Sequence, residues 1–363
     1  MLESYFIYIG FLLLFFIILI FFKKSSTKKS LSLDDLCVII PFRNEESNLQ
    51  SLFHSLICQK KLPKNIIFVN DHSTDKSAEL VKGFITKNGI GKLLELPKNY
   101  ASKKKAIRYA VSDERQTLAE IESQYYLTID ADVSFDAHFF SSLINNPADD
   151  MVIRPVIMKS NSFLGRLFST EHLFFNALNF ILSPIYILSA SGANLVFKKT
   201  VFNRVDSYEK HKYISSGDDY FLLRDFQKDK ATISISKLKE DAVYTNGPKN
   251  TTEYFNQRIR WLSKSKKSKN VIELFIGINL LFYFLGGFVI VLYLLVSQDY
   301  LLFIYLFIAR FIIDVIVFLN YSYLLKEYKK VIFLPFFQLI YPLLFLMVIF
   351  GSMFYSPLWK GRR

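Results

Sequence analysis

The residues best suited to chemistry are two pairs of aspartates. Asp130 ends the apolar run at residues 126–130, and Asp132 follows it after a single residue. Because successive strand side chains point to opposite faces, the two carboxylates can point the same way. Their oxygens suit a hard divalent cation, which would also hold a diphosphate and neutralise its growing charge as it leaves.

The second pair, Asp218 and Asp219, opens a predicted helix that continues with apolar residues. One of these carboxylates can cap the helix, which is a purely structural role. The other is then available as a general base that takes the proton of an acceptor hydroxyl. We expect Asp219 to be this base, with Asp218 beside it at the helix start.

Two further motifs could contact a nucleotide. Asp71 follows the apolar run at residues 66–70, where a carboxylate can accept hydrogen bonds from a nucleobase or a ribose. Lys103 lies in the basic stretch 102–107, where lysine charge and free backbone N–H groups at a helix start suit a diphosphate. A solvated basic turn explains any single one of these lysines equally well.

The first apolar run covers residues 37–41. The polar segment that follows it contains Arg43, Asn44 and Glu45. The pattern predicts a strand that runs into Pro41, then a turn and a helix that Asn44 or Glu45 could cap. Strand–turn–helix units are common, so this segment alone favours no particular function.

The last chemical motif is Gln257, Arg260 and Trp261, which fall at positions i, i+3 and i+4 and so share one helix face. The guanidinium of Arg260 suits a diphosphate, and the indole of Trp261 offers a flat apolar face to a sugar ring. An interfacial helix whose Arg and Trp anchor it among lipid headgroups explains the motif about equally well.

The elements that must position these residues are predicted by the order of apolar and polar segments. Apolar runs at residues 37–41, 66–70 and 126–130 each end at a polar cluster, and helix-like stretches at 45–58 and 75–86 lie between them. Buried strands that alternate with helices indicate an α/β domain with a mostly parallel sheet. Ligands of such sheets bind beyond the carboxyl ends of the strands.

The composition points to a membrane protein: 51% of the residues are hydrophobic and 37 are phenylalanine. An AT-rich genome would also favour phenylalanine. The evidence for membrane spans is therefore the distribution of the apolar residues along the chain. Uncharged or nearly uncharged apolar runs cover residues 5–22, 274–296, 300–325 and 331–359. The last is too long for one upright span and too short for two. Counting spans places Lys360, Arg362 and Arg363 outside, against the usual distribution of positive charge, and this conflict leaves the topology of the C-terminal part open.

The net charge of +13 lies largely in lysines beside the apolar runs, a pattern that fits anionic lipid headgroups. No nucleic-acid-binding motif accompanies it, so a nucleic-acid partner is not expected. The lysines predict an N-terminal signal anchor with its basic flank (1–30), a cytosolic domain (31–270) and a C-terminal transmembrane region (271–363). A cleaved signal peptide is disfavoured, because Glu3 precedes the run and no small-residue cleavage site follows.

Two apolar segments carry charges that need an explanation. Residues 163–188 are interrupted by charged residues and a proline, and we predict an amphipathic helix on the membrane surface, with an ordinary core helix as an equal alternative. Arg310 and Asp314 are four residues apart in a predicted span, where a self-neutralising pair is favoured over a functional site.

Cys37 and Cys58 lack metal-ligand spacing, so a reducing compartment is expected.

Taken together and in order, these motifs resemble those of the family 2 glycosyltransferases, from about Val38 to Trp261. The similarity is greatest to membrane members with a QxxRW motif, such as the poly-N-acetylglucosamine, hyaluronan and cellulose synthases and ceramide glucosyltransferase. The resemblance implies a GT-A fold, inversion at the anomeric carbon, and a UDP-sugar donor bound with Mg²⁺ or Mn²⁺. Ser102 stands where the family usually has glycine, which weakens the assignment of Lys103.

The resemblance also implies roles for individual residues. The catalytic residues would be Asp219 and Asp218, and the metal ligands Asp130 and Asp132. The nucleotide-sugar would be bound by Pro41, Arg43, Glu45, Asp71, Lys103, Asp130 and Arg260. The acceptor would be bound by Gly192 and Asn194, which lie in a turn that resembles the family's acceptor side, and by Gln257 and Trp261.

The acceptor itself stays open. QxxRW is common in processive enzymes and favours a growing polysaccharide, which would bring polysaccharide-export partners, whereas the small membrane region favours a lipid. The expected location is the plasma (inner) membrane of a bacterium, as a multi-pass protein with a cytosolic catalytic domain. The alternative is a catalytically inactive nucleotide-sugar-binding subunit of a cell-surface glycan assembly, although Asp132, Asp219 and Arg260 are all present. A transporter is disfavoured, because the polar motifs lie outside the predicted spans.

Overall fold

The computed structural model describes residues 2–22, 29–112, 123–205, 217–265 and 270–355. The chain divides into two compact units. The first, here the helical unit, comprises Met1–Lys24, Met158–Leu188 and Gly247–Leu358. The second, here the α/β unit, comprises the described residues within Ser25–Ile157 and Ser189–Asn246. The predicted boundaries at residues 30 and 270 stay predictions.

The strands form two sheets. In chain order they are β1 Leu36–Phe42, β2 Asn65–Asn70, β3 Lys92–Glu95, β4 Tyr125–Ile129, β5 Val133–Phe135, β6 Met151–Ile153, β7 Val156–Lys159, β8 Asn194–Lys198, β9 Ile233–Ile235 and β10 Val243–Asn246. The larger sheet has seven strands among the described residues, in the order β3-β2-β1-β4-β8-β6-β9. The smaller sheet has the order β5-β10-β7.

The larger sheet is mostly parallel. β1 pairs in parallel with β2 and with β4, β2 with β3, and β6 with β9, whereas β8 runs antiparallel to both β4 and β6. All seven residues of β1 and all five of β4 are buried. Uninterrupted apolar runs are therefore needed here, because helices cover both faces of such a strand. The predicted α/β architecture is confirmed.

The helices follow in chain order. They are α1 Leu2–Phe21, α2 Leu49–Ile57, α3 Ser77–Asn88, α4 Lys103–Val111, α5 Phe163–Leu182, α6 Lys199–Val205, α7 Asp218–Lys228, α8 Thr251–Ser265, α9 Val271–Leu281, α10 Gly287–Val296, α11 Tyr300–Ser322 and α12 Leu334–Phe354. A π-helical turn, Phe282–Gly286, joins α9 to α10, and short 3₁₀ turns cover Ser141–Asn145, Lys239–Asp241 and Tyr328–Phe333.

One predicted helix starts later than the sequence indicates. Capping by Asn44 or Glu45 is wrong, because α2 begins only at Leu49. Asn44 has φ +51°, a left-handed conformation that places it in a turn. The backbone N–H of Glu45 donates to Ser77 Oγ at 2.8 Å, so these residues hold the loop that follows β1.

Four helical segments of the described chain are long and apolar enough to cross a membrane: Glu3–Phe21, Val271–Val296, Tyr300–Ser322 and Tyr328–Phe354. Up to Phe354, the last apolar run of the sequence thus lies within one long helical segment, and residues 356–359 of that run lie outside the described residues. Pro335 lies in the first turn of α12, where its missing N–H costs nothing, and Pro342 lies inside the helix.

The charged pair of α11 is buried within the helical unit. Arg310 and Asp314 are 2% and 0% exposed. The phenol of Tyr283 connects them: its hydroxyl donates to Asp314 Oδ1 at 2.8 Å, and its ring lies 4.9 Å from the Arg310 guanidinium. Tyr5 of α1 donates to the carbonyl of Tyr283 at 2.9 Å. These polar groups therefore join three of the candidate spans.

Helix α5 covers most of the interrupted apolar segment. Its N-terminus is capped by Ser162 Oγ, which accepts from Gly165 N at 3.1 Å. Within the helical unit it packs against α11 and α12, for example where Phe180 stacks on Tyr321 with 4.5 Å between ring centroids. Its placement on the membrane surface stays a prediction. Cys37 is buried, Cys58 is exposed, and both are free thiols.

Candidate active site

The ends of β1 and β2 are joined by one arginine. Asp71 directly follows β2 and is 3% exposed, and its N–H donates to the carbonyl of Phe42 at 2.9 Å. Arg43 Nη1 donates to the carbonyls of Asp71 and His72 at 2.8 and 3.2 Å. Arg43 therefore holds the two strand ends together, which fixes where the Asp71 carboxylate lies.

The other predicted residues of this edge also have local partners. Pro41 is a buried residue of β1, paired with Val69. The carboxylate of Glu45 accepts from Asn48 Nδ2 at 2.7 Å. Nucleotide binding by Pro41, Arg43 and Glu45 stays a prediction, and the geometry supports a role in shaping the loop.

Lys103 brings the two aspartate pairs together. Its ammonium lies 2.5 Å from Asp130 Oδ1 and 3.2 Å from Asp218 Oδ2, and its side chain is 18% exposed. Burial disfavours the charged form, but the carboxylates of Asp130 and Asp218 outweigh this effect and raise the pKa of Lys103 above its usual value. Lys103 therefore carries a positive charge at neutral pH, in a place where an anionic diphosphate could replace a carboxylate as its partner.

Helix α4, which Lys103 opens, starts from a strained residue. Ser102 has φ +153° and ψ +158°, in a region that is essentially restricted to glycine. Its hydroxyl caps the helix by accepting from Lys105 N at 3.2 Å. The serine thus contributes a cap but holds a backbone conformation that costs about 1–3 kcal/mol.

We expect Ser102→Gly to stabilise the protein by about 1 kcal/mol, because relief of strain exceeds the few tenths lost with the cap. Ser102→Ala is the matched control: it removes the cap, keeps the strain and should destabilise by about 1 kcal/mol. Thermal unfolding of the three proteins in the same detergent measures the difference. If Ser102→Gly unfolded at a lower temperature than Ser102→Ala, the result would contradict backbone strain at this position.

The second aspartate pair opens α7, as predicted. Gly217, with φ +85°, occupies the N-cap position, so neither aspartate is the capping residue. Asp218 is the partner of Lys103 instead. Asp219 accepts hydrogen bonds from Tyr220 N at 2.7 Å and from Gly192 N at 3.3 Å. The two neighbouring carboxylates therefore have different partners, which suits different chemical roles.

Gly192 packs tightly against these charges. A Cβ added at this position would lie 2.5 Å from Asp218 Oδ2 and 2.9 Å from Lys103 Nζ. Both distances are below van der Waals contact, so a side chain here must displace the ion pair. Gly192 therefore belongs to the site through its lack of a side chain.

We expect Gly192→Ala to lower the catalytic activity of this site about 10²-fold, because a displacement of about 1 Å in a site can cost that much. Stability should change little, since the displaced atoms are the ends of movable side chains. Gly83→Ala is the control: Gly83 lies in α3, and a Cβ there meets no atom within 4 Å. Comparison of initial rates and unfolding midpoints separates the two effects. Wild-type activity of the Gly192→Ala variant would contradict the conclusion that the site requires a residue without a side chain at position 192.

Asn194 occupies a different environment. It is fully buried, and its amide donates at 2.8 Å to the carbonyls of both Pro155 and Asp241. Asp241 in turn is paired with the buried guanidinium of Arg154, at 2.9 Å. Acceptor binding by Asn194 stays a prediction, but its hydrogen bonds favour a role in holding the start of β8 behind Gly192.

A cavity adjoins the carboxylates of Asp218 and Asp219, and its wall is largely apolar. Ile107, Leu195 and Leu222 contribute side chains to that wall. Apolar surroundings lower the local dielectric constant and strengthen the interactions between the charges at the edge of the cavity.

The predicted metal ligands offer part of a coordination shell. Asp130 follows β4, and Asp132 is exposed in the turn before β5. In the described part of the chain, no group of three or more His, Cys, Asp or Glu side chains is arranged to hold a metal ion. The ammonium of Lys103 beside Asp130 indicates that this edge attracts positive charge. The two carboxylates fit Mg²⁺ or Mn²⁺ if diphosphate and water supply the other ligands.

The QxxRW residues lie on α8 of the helical unit. Gln257, Arg260 and Trp261 are half-buried, whereas Arg258 between them is 7% exposed. The QxxRW motif specifies neither Arg258 nor its ion-pair partner, Glu171 on α5. The charge of Glu171 within an apolar segment is the signal that could have identified this pair.

Residues 37–206 match the family described as Glycosyl transferase family 2. Among curated proteins, the 4,4'-diaponeurosporenoate glycosyltransferase of Staphylococcus aureus (strain USA300) is 43% identical over 49 residues. That match covers 14% of this chain and only 13% of that enzyme.

Two solved structures were compared with the chain, and one of them has a TM-score above 0.5. A mannosyltransferase from Pyrobaculum calidifontis, in complex with GDP-Man and Mn²⁺, has a TM-score of 0.53 and 14% identity, and the match covers 98% of this chain and 99% of that one. S. aureus TarS in complex with UDP-GlcNAc has a TM-score of 0.42 and 17% identity, with 82% and 89% covered. The chain has a GT-A-like α/β fold, as the sequence predicts.

Proposed function

We propose that the chain transfers a sugar from a UDP-sugar to a membrane-associated acceptor, with inversion at the anomeric carbon, because residues 37–206 match the family described as Glycosyl transferase family 2. The observation that carries this proposal is the arrangement around Lys103. A half-buried positive charge suited to a diphosphate lies against Asp130 and Asp218, and a further carboxylate, Asp219, is adjacent.

In the proposed reaction the acceptor oxygen attacks C1 of the sugar, and the bond from C1 to the diphosphate oxygen breaks. UDP leaves with the electron pair, and Asp219 takes the proton of the acceptor hydroxyl in the same step. Lys103 stabilises the negative charge that develops on the diphosphate. When bound at Asp130 and Asp132, a divalent cation would supply further neutralisation of that charge.

The remaining predicted roles are part of the same proposal. Asp71 is proposed to accept hydrogen bonds from the nucleobase or ribose, and Arg260 to bind the diphosphate. The acceptor is proposed to contact Gly192, Gln257 and Trp261.

For the acceptor we propose a lipid first. The membrane region is small, and a relative that matches over a short segment is named a 4,4'-diaponeurosporenoate glycosyltransferase. A growing polysaccharide, with export partners, is the other outcome of the test. The proposed location of the protein is a bacterial plasma membrane.

The test incubates membranes that contain the protein with labelled UDP-glucose, UDP-N-acetylglucosamine or GDP-mannose, and then separates organic-phase product from polymer. We expect label from one UDP-sugar in a lipid-soluble product, formed at least about 10²-fold more slowly with Asp219→Asn. Label from GDP-mannose alone would contradict the UDP-sugar donor. Product found only as a polymer would contradict the lipid acceptor.

We also propose that the α/β unit faces the cytosol, because lysines flank the spans on that side. Cysteines at Asp34 and Lys61, both exposed, should be protected from an impermeant thiol reagent in intact cells. Ser297→Cys, between α10 and α11, is the matched control and should be labelled. Only Cys58 needs replacement beforehand, since Cys37 is buried. Labelling at 34 and 61 without permeabilisation would contradict this orientation.

A further inference from the structure

A buried ion pair underlies the QxxRW motif. Arg258 and Glu171 are 7% and 4% exposed, and both lie in the helical unit. Arg258 Nε donates to Glu171 Oε1 and Oε2 at 3.0 and 3.1 Å, and Nη2 donates to Oε2 at 2.7 Å. This fork-like geometry fixes the plane of the guanidinium as well as its position.

The same guanidinium contacts the outer residues of the motif. Its Nη1 donates to Gln257 Oε1 at 2.7 Å. Its central carbon lies 4.4 Å from the centroid of the Trp261 ring and 4.8 Å from that of Tyr254. One cation therefore lies against two aromatic rings and binds the amide oxygen of Gln257. It restricts the side chains of Gln257 and Trp261 at the same time.

Further contacts make this arrangement rigid. Tyr254 stacks on Phe168 of α5, with 4.1 Å between ring centroids. His172, the neighbour of Glu171, has its ring centroid 6.0 Å from that of Trp261. Burial, together with the charges of Arg258 and Lys330, lowers the pKa of His172 to about 3. The histidine is therefore neutral, and Glu171 is the carboxylate partner of Arg258.

We infer that Glu171 and Arg258 are positioning residues for acceptor use, because they hold the ring of Trp261 and the amide of Gln257 in one orientation. The inference rests on the proposed acceptor-binding role of Gln257 and Trp261. The orientation itself does not depend on that role and can be measured without any substrate.

The first experiment follows the Trp261 ring directly. The chain has two tryptophans, and Trp359→Phe leaves Trp261 as the only one. In this background we compare fluorescence anisotropy decay and acrylamide quenching for Glu171→Asp, Arg258→Lys and the double variant Glu171→Met/Arg258→Met. The double variant should fold, because apolar side chains can replace a buried ion pair at little cost. Single removal of either partner would instead leave a buried charge unpaired.

We expect a fast component of anisotropy decay and stronger quenching in the double variant, and smaller changes in Arg258→Lys and Glu171→Asp. Glu327→Gln serves as the control, since Glu327 pairs with Lys330 in the same unit and removal of its charge leaves Arg258 untouched. Unchanged anisotropy and quenching in all three test variants would overturn the inference, whatever the function of the protein.

The second experiment measures kinetics. We expect the double variant to raise the apparent KM for the acceptor about tenfold, in keeping with loss of a desolvated cation–π contact, while donor binding changes little. In a Trp261→Ala/Gln257→Ala background the same double variant should have no further effect, since the pair acts through these residues. An additive loss would overturn the positioning role. A mobile Trp261 ring with unchanged acceptor KM would instead remove Trp261 from the proposed acceptor site.

Discussion

Replacement of Asp219 by asparagine is expected to reduce turnover about 10²–10⁴-fold, the usual contribution of a general base. Asparagine keeps the shape of the side chain and an oxygen that can accept from Tyr220 N or Gly192 N, but it cannot take a proton. Donor binding should therefore stay nearly intact. Single-turnover rates at saturating donor, with UDP affinity measured separately by calorimetry, give the two quantities.

Asp218→Asn is the matched control for this prediction. It removes the carboxylate that lies 3.2 Å from Lys103 and so should change donor affinity more than the chemical step. If Asp219→Asn kept more than about a tenth of the wild-type rate, the base would have to be another group, and Asp218 would be tested next.

Loss of the metal is the second change with a large expected effect. EDTA should abolish transfer and Mg²⁺ or Mn²⁺ should restore it, because neutralisation of the leaving diphosphate is worth several kcal/mol, or about 10³-fold in rate. Asp132→Ala should have a similar effect. Since Asp132 is exposed, its loss should change the free energy of unfolding by less than about 0.5 kcal/mol.

The measurement that isolates this effect is UDP binding with and without Mn²⁺. We expect Mn²⁺ to strengthen UDP binding to the wild-type protein and to have little effect on Asp132→Ala. Asp34→Ala, at another exposed aspartate, controls for the loss of one negative charge. Full activity in EDTA would exclude the metal from the mechanism.

The architecture of the α/β unit was predictable because its strands are buried on both faces. Strands predicted at residues 37–41, 66–70 and 126–130 differ by one residue or less at each end from β1, β2 and β4. Helix starts were less predictable. The loop before α2 is held by Ser77, which is distant in sequence, and no local pattern contains that hydrogen bond.

The candidate site was predictable in its members but not in its contacts. Spacing identified Asp130 and Asp132, and adjacency identified Asp218 and Asp219. The ion pair of Lys103 with both motifs depends on how the sheet brings distant loops together. The different environments of Gly192 and Asn194 could not be predicted from the sequence either, because they depend on tertiary contacts. A Cβ at position 192 would lie against the charges of Asp218 and Lys103, whereas the amide of Asn194 donates to two backbone carbonyls.

The order of the two units along the chain restricts how this protein could exchange parts with its relatives. Met158–Leu188 belongs to the helical unit but interrupts the α/β unit in sequence. A recombinant that takes every residue after Asn246 from another enzyme would keep its own α5 and receive foreign partners for it. Phe180 would lose Tyr321, and Glu171 would lose Arg258. We expect successful gene exchange to transfer residues 158–188 together with the C-terminal segment, so that α5 is inherited with the helices it packs against.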